Sequence, residues 1–487
     1  MRPHPIVPFV LLLLAALPAA LSAQNRAGAV VIRPAPFTPR GQAAVDAEEG
    51  TLYVPEDWAR PEGRLIELHF VRFRSTSANP GPPIVYLAGG PGGSGTAAAS
   101  GDRFPLFMQL REVADVIALD QRGTGGSRPF LLCPEPLRTP LDQPAESPAV
   151  MLAVLDWSRG CAEHWRAQGV DLAAYHTDNN VEDLDALRRA LGAEKLSLWG
   201  ISYGTHLGLA ALRRHPDRIH RAVLSGVEGP AHTLKLPSVL DRMLAQVDSL
   251  VRADSTAAGV LPDPLGSVRR ILERLATPVT VDVPGANGGA PTRVTVGRDD
   301  FRMALLEQMA ERDNVARLPA ILRMMEGGDF SLLARGVMNI RGNRWALAMS
   351  FAMDCASGAT AARVARIAAE RETSLMGDAP NFFFPAVCAA WPHRELGDGF
   401  RGPVVADVPV LFVSGTLDAR TPPSNAEEVL PGFRNGVHLV IEGAGHDDDL
   451  FLSSPEIGRA MADFLAGGPL AGTRITLPPI EFTARFP

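Results

Sequence analysis

Positive charge is not in excess in this sequence. Its 47 lysines and arginines are outnumbered by 54 aspartates and glutamates, a formal net charge of −7. With no basic cluster either, the chain is not expected to have a nucleic-acid partner. Cysteine is scarce, four in 487 residues. There is no CxxC and no histidine at ligand spacing, so no metal site is expected. Internal repeats and low-complexity tracts are missing as well, which argues against solenoid and disordered architectures. What is present is the composition of a folded chain, 46% hydrophobic and 21% charged. Its length suits one large domain with an insertion, or two domains.

Long apolar runs are also missing, with one exception at the start. Arg2 and His4 precede an apolar stretch from Ile6 to Leu21, and Ser22-Ala23 supplies small residues for cleavage. Pro8 and Pro18 interrupt the stretch, and it is short for a span of about 20 residues. Residues 1–23 read as a cleaved signal peptide, and no cysteine follows to carry a lipid. The chain is therefore expected to be exported, to the periplasm or the extracellular space, with no stable membrane association afterwards. In such a compartment four cysteines point to disulfides. Three connectivities are open; the simplest joins Cys133 to Cys161 and Cys355 to Cys388, with buried free thiols as the alternative.

Residues 24 to about 60 are mixed and proline-rich. Leu65–Arg74 alternates apolar and polar residues, as a half-buried strand does. Pro83–Ala88, Val113–Leu119, Lys195–Trp199 and Ile219–Ser225 are short apolar runs typical of buried parallel strands. Helical periodicity at 181–191 and 204–214 separates them, so a parallel α/β sheet is expected. From 235 to 400 the pattern is mostly helical, apart from two strands around a glycine-rich loop near 278–296. Sheet periodicity resumes at Val408–Ser414 and Val437–Ile441. Pro455–Ala466 is a last helix with Ser454 as its cap. The expected division is thus a sheet-bearing part over 24–234 and 401–487, split by a helical insertion over 235–400.

Gly200-Ile-Ser-Tyr-Gly204 is a G-x-S-x-G segment between a predicted strand and a predicted helix. A turn that tight needs small residues two positions before and after the serine, and it lifts the Ser202 hydroxyl above the sheet edge. A serine hydroxyl needs a base, and the base needs an acid to orient it. Asp418 follows one late strand and His446 follows the next, in the order Ser, Asp, His. Both fall where open sheets build sites, beyond the strands' carboxyl ends. Asp447, Asp448 and Asp449 read instead as carboxylates near the N-terminus of the last helix.

Gly89-Gly-Pro-Gly-Gly-Ser-Gly95 also follows a strand. With Asp120 ending the next strand, it resembles a dinucleotide-binding fingerprint. That reading leaves Ser202, Asp418 and His446 without a purpose. As a loop that brings backbone close to a substrate, it would place the Gly90 amide beside the Tyr203 amide to hold an oxyanion.

Four segments together, GGPGGSG, Asp120-Gln-Arg-Gly-Thr-Gly-Gly-Ser127, Gly200-Ile-Ser-Tyr-Gly-Thr205 and SGTLDARTP, resemble the tripeptidyl aminopeptidase and proline iminopeptidase group. The likeness runs from about residue 50 to the end. It implies an α/β-hydrolase fold with a mostly parallel sheet, and a helical cap inserted before the strand that carries the catalytic Asp. It implies a serine aminopeptidase acting through an acyl-enzyme on peptides with a free N-terminus, without a cofactor. Carboxylates beneath the cap would bind the substrate's ammonium, with Glu228 and Asp354 as candidates. Asp120-Gln-Arg-Gly would support the glycine loop. Two departures stand out: Ala88 occupies a position commonly His, and Ser357 occupies one where an acid is expected. The same three residues would equally serve an esterase of small acyl esters.

Overall fold

The computed structural model describes residues 26–285, 289–384 and 386–483. The expected signal peptide, residues 1–23, lies outside them. Strands β1 (Val30–Pro34), β2 (Glu48–Pro55), β3 (Leu65–Phe73), β4 (Gly81–Leu87), β5 (Ala114–Leu119), β6 (Leu196–Ser202) and β7 (Ile219–Val227) come first. A separate hairpin, β8 (Val279–Val283) and β9 (Thr292–Val296), follows within the helical insertion. Strands β10 (Val410–Gly415), β11 (Gly436–Glu442) and β12 (Arg474–Thr476) complete the main sheet. Its order is β1-β2-β3-β5-β4-β6-β7-β10-β11-β12. From β5 to β12 in that order all neighbours are parallel, and the β1 to β5 pairings are antiparallel.

The uninterrupted apolar runs follow from burial on both faces. Along β6, Leu196 and Leu198 join one core while Trp199 and Ile201 join the other. Along β10, Val410 and Phe412 face the first core, and Leu411 and Val413 the second. Helices Thr177–Ala190 and Tyr203–Arg214 cover the first face through Val181, Leu184 and Leu207. Helices Phe104–Leu110 and Pro455–Leu465 cover the second through Phe107, Ile457 and Met461. Ser454 caps the last helix, accepting the Glu456 N–H at 3.2 Å.

Strands β1 and β2 occupy the stretch that reads as irregular in sequence. Gly50 lies in the middle of β2, opposite Phe70 of β3. A Cβ there would stand 2.1 Å from the Phe70 ring, so glycine is demanded by a neighbour rather than by a turn.

Between β7 and β10 the chain leaves the sheet. Helices Pro237–Ala253, Arg298–Gln308 and Arg312–Glu326 pack around a third core containing Leu244, Phe301, Val315 and Phe330. A stretch preceding β6 also belongs to this body. Leu132 bridges Leu347 and Leu137 bridges Arg344. The fully buried Arg341 donates to Asp300 Oδ1 at 2.7 Å and Thr139 Oγ1 at 3.1 Å. Disulfides join Cys133 to Cys161 and Cys355 to Cys388. No helix among the described residues is long and apolar enough to cross a membrane.

Candidate active site

Ser202 ends β6 and precedes helix Tyr203–Arg214 with φ 54° and ψ −125°, a conformation side chains other than glycine rarely adopt. Its flanking glycines are required by space. A Cβ on Gly200 would meet Gly204 O at 2.7 Å, and one on Gly204 would meet Leu87 O at 2.0 Å. Tyr203 is the first residue of its helix, so its N–H has no intrahelical acceptor and stays available for an anion.

Asp418 and His446 stand on the loops after β10 and β11. Asp418 is fully buried, and its Oδ1 accepts the Arg420 and Thr421 N–H groups, each at 2.8 Å. Its Oδ2 accepts the Thr421 hydroxyl at 2.7 Å and His446 Nδ1–H at 2.8 Å. Burial pushes this carboxyl up, but His446 and the Thr421 donors more than reverse that, and it lies below the ordinary carboxylate range. With Nδ1 committed to Asp418, Nε2 of His446 is free to act as a base. It makes no hydrogen bond to Ser202 among the described residues; the two side chains instead line one cavity. Gly226, at φ 61°, leaves the imidazole its room, since a Cβ there would stand 3.1 Å from His446 Cε1.

The glycine loop follows β4 and approaches the nucleophile closely. A Cβ on Gly89 would meet Ser202 Cβ at 3.0 Å, and Gly90 takes φ 121°. The Asp120 carboxylate holds the loop's far end. It accepts from the Ser94 hydroxyl at 2.6 Å, the Thr96 hydroxyl at 2.8 Å and the Gly126 N–H at 2.8 Å. Gln121 Nε2 donates to Ala88 O at 3.0 Å, and Arg122 makes a buried two-pronged pair with Asp183 at 2.8 and 2.7 Å. Asp120 thus braces the loop and has no place for a ribose.

A cavity of about 540 Å³ opens beside Ser202 and Gly90, and both Glu228 and Asp354 line it. Glu228 follows β7 and meets Lys235 Nζ at 2.6 Å. Burial raises its pKa, yet Lys235 and His206 bring it below the ordinary value. Asp354 sits on helix Ala348–Ser357, and its carboxyl has no hydrogen-bond partner among the described residues. Burial and the Glu228 charge push it well above the ordinary range. Ser357 is not part of this lining; its hydroxyl meets His206 Nε2 at 3.1 Å in the core. Sequence reasoning missed Lys235, one of two lysines in the chain. That rarity is the one signal that could have marked it.

A second cavity, about 590 Å³, opens on the His446 side. It shares Gly90, Ser202, Glu307 and Arg420 with the first. Asp447 and Asp448, which precede the last helices in the chain, also have a cationic partner. Both pair with Arg103, Asp448 at 2.6 Å, and Asp449 Oδ2 accepts the Arg312 and Gly445 N–H groups at 3.0 and 2.8 Å. A hydroxyl on a strained turn, an imidazole tied to a buried carboxylate and an unpartnered helix-start amide next to the serine are among the parts that acyl transfer to serine requires.

Residues 82–261 match the family model described as alpha/beta hydrolase fold, and residues 380–474 match one described as TAP-like protein. The chain is 35% identical over 194 residues to serine protease Hip1 of Mycobacterium tuberculosis, covering 37% of this chain and 36% of that one. It is 33% identical over 195 residues to tripeptidyl aminopeptidase of Streptomyces lividans, covering 37% and 35%. The matched stretch therefore spans little more than a third of the length of these curated relatives. Among solved structures it is similar to a proline iminopeptidase-related protein of Thermus thermophilus. That likeness has 21% identity and a TM-score of 0.39, over 86% of this chain and 97% of the other.

Proposed function

We propose that this chain, an α/β hydrolase resembling the tripeptidyl aminopeptidase and proline iminopeptidase group, is a serine aminopeptidase that releases residues or short peptides from a free N-terminus. The supporting observation is that Glu228 and Asp354 line the same cavity as Ser202. Glu228, which already holds the Lys235 ammonium, and Asp354 beside it form a carboxyl pair chemically suited to a substrate's α-ammonium. Burial and the Glu228 charge favour the neutral form of Asp354, and an arriving cation favours its ionised form, which adds a second charge to bind it.

In the reaction, His446 takes the Ser202 proton and Oγ attacks the scissile carbonyl. The Gly90 and Tyr203 amides hold the oxyanion, and Asp418 stabilises the imidazolium. His446 then protonates the leaving nitrogen as the C–N bond breaks. Water, activated by the same imidazole, releases the acyl part from Ser202. The two disulfides suit a protein that works outside the cytoplasm, and export is part of this reading.

Matched fluorogenic peptides with free and acetylated N-termini test the reading. Free-amine peptides are expected to be cleaved and acetylated ones not, with Ser202→Ala lowering kcat by at least about 10⁴-fold. Glu228→Gln and Asp354→Asn should raise KM for the free-amine series. Equal cleavage of both series, or fast turnover of short acyl esters with no peptide cleavage, would overturn the aminopeptidase assignment.

A further inference from the structure

We infer that the second cavity holds the leaving part of the substrate, and that Glu311 there selects a cationic residue just after the cleaved bond. This rests on the aminopeptidase reading above. Glu228 and Asp354 border only the first cavity, whereas His446 borders only the second. The leaving nitrogen must receive its proton from His446, so it departs on the imidazole's side. As Oγ of Ser202 bonds the carbonyl carbon, the C–N bond breaks. The proton taken from Ser202 passes through His446 to that nitrogen, and the shortened peptide is left in the second cavity.

The charges around this cavity are unequal. Asp102, Glu307, Glu311, Asp447 and Asp448 line it, against Arg103 and Arg420. Both guanidiniums are engaged: Arg103 with Asp447 and Asp448, and Arg420 with Glu307 at 2.6 Å. Asp102 is exposed, while Glu311 is half-buried and immediately follows Ala310, whose carbonyl accepts the His446 N–H at 2.6 Å. Among the described residues no cation pairs with Glu311. Burial and the carboxyls of Asp449, Asp418 and Asp448 push it up to about 8, the state of a carboxyl short of a counter-ion. A lysine or arginine side chain arriving beside His446 supplies that counter-ion; a glutamate meets repulsion.

The experiment compares free-amine peptides identical up to the cleaved bond and carrying Arg, Gln or Glu directly after it, with the bond located by mass spectrometry. For the wild type, kcat/KM is expected to be about tenfold higher for Arg than for Gln, and lowest for Glu. In Glu311→Gln the Arg-to-Gln ratio should fall to about one, and in Glu311→Lys the Glu peptide should overtake the Arg peptide. Ratios are taken within each protein, so loss of folded enzyme cancels. Equal rates for all three peptides in the wild type, or a ratio that survives Glu311→Gln, would overturn the assignment of this cavity and leave the aminopeptidase reading intact. Choline and 3,3-dimethylbutyl esters of one acid separate the converse. Preference for the choline ester with no peptide cleaved keeps the cationic leaving-group site and removes the aminopeptidase reading; no turnover of either series removes both.

Discussion

Ser202 holds its strained backbone only because its surroundings leave no alternative. Gly200 and Gly204 fit where any Cβ would strike backbone, and Tyr203, the first residue of the helix, has an N–H with no intrahelical acceptor. That steric demand is local, which is why the elbow is readable from five consecutive residues. The states of the carboxyls are not local. Asp418 falls and Asp354 and Glu311 rise because residues distant in sequence surround them. For Glu311 the sign can be worked out. Its folded pKa rises from an ordinary 4.5 to about 8, so the folded chain keeps a proton that the unfolded chain releases. Its contribution is therefore most favourable at low pH and is lost as pH rises between 4.5 and about 8. Glu311→Gln is expected to raise Tm at pH 8 while changing it little at pH 4.5. Thermal unfolding of both proteins across that range checks this; equal shifts at the two pH values would contradict it.

Among the elements, helix Ala348–Ser357 links the parts of the site most directly. Ser350 donates to Pro91 O of the glycine loop at 2.5 Å, and Asp354, four residues on, shares the same helix face. Cys355 is tied to Cys388 across 33 residues. Closing a loop of that length restricts the unfolded chain by about 3–4 kcal/mol. Replacing both cysteines by alanine should lower the unfolding free energy by about that amount in urea titrations. It should also raise KM for free-amine peptides, because Asp354 adjoins the removed bond. Unchanged KM at full occupancy of the folded state would separate this helix from amine binding. The helix itself has a plain apolar pattern in sequence. Strands β1 and β2 do not: they fall in a stretch that reads as mixed and proline-rich, and only the structure shows Gly50 packed against Phe70.

At the scale of the whole molecule, the sheet presents the loops after β4, β6, β7, β10 and β11 at one edge, and the helical insertion roofs them. Residues of the insertion line both cavities, Met303 and Leu306 the first and Ala310 and Asn314 the second, and in the aminopeptidase reading proposed above a substrate brings a chain end between them and the sheet. Short free-amine peptides are expected to be cleaved, and a folded protein whose N-terminal strand is hydrogen-bonded into its sheet is expected to stay intact. Mass spectrometry of such a protein before and after denaturation checks this; trimming of the folded form would contradict it. The roof also recruits residues 131–145, which precede β6 in the chain. Nothing periodic in that stretch marks its allegiance.

What the sequence determined by itself was whatever depends on near neighbours. Two-faced burial reads as apolar runs, the tight turn reads as Gly-x-Ser-x-Gly, and a site at the strands' carboxyl ends places Asp418 and His446 by order alone. Only the tertiary structure decided which charges meet. Lys235 with Glu228, Arg103 with Asp447 and Asp448, Arg420 with Glu307, and Glu311 with no paired cation among the described residues are outcomes of packing between distant segments. Electrostatic energy depends on separation and burial in space, and neither is written in the spacing of residues along the chain.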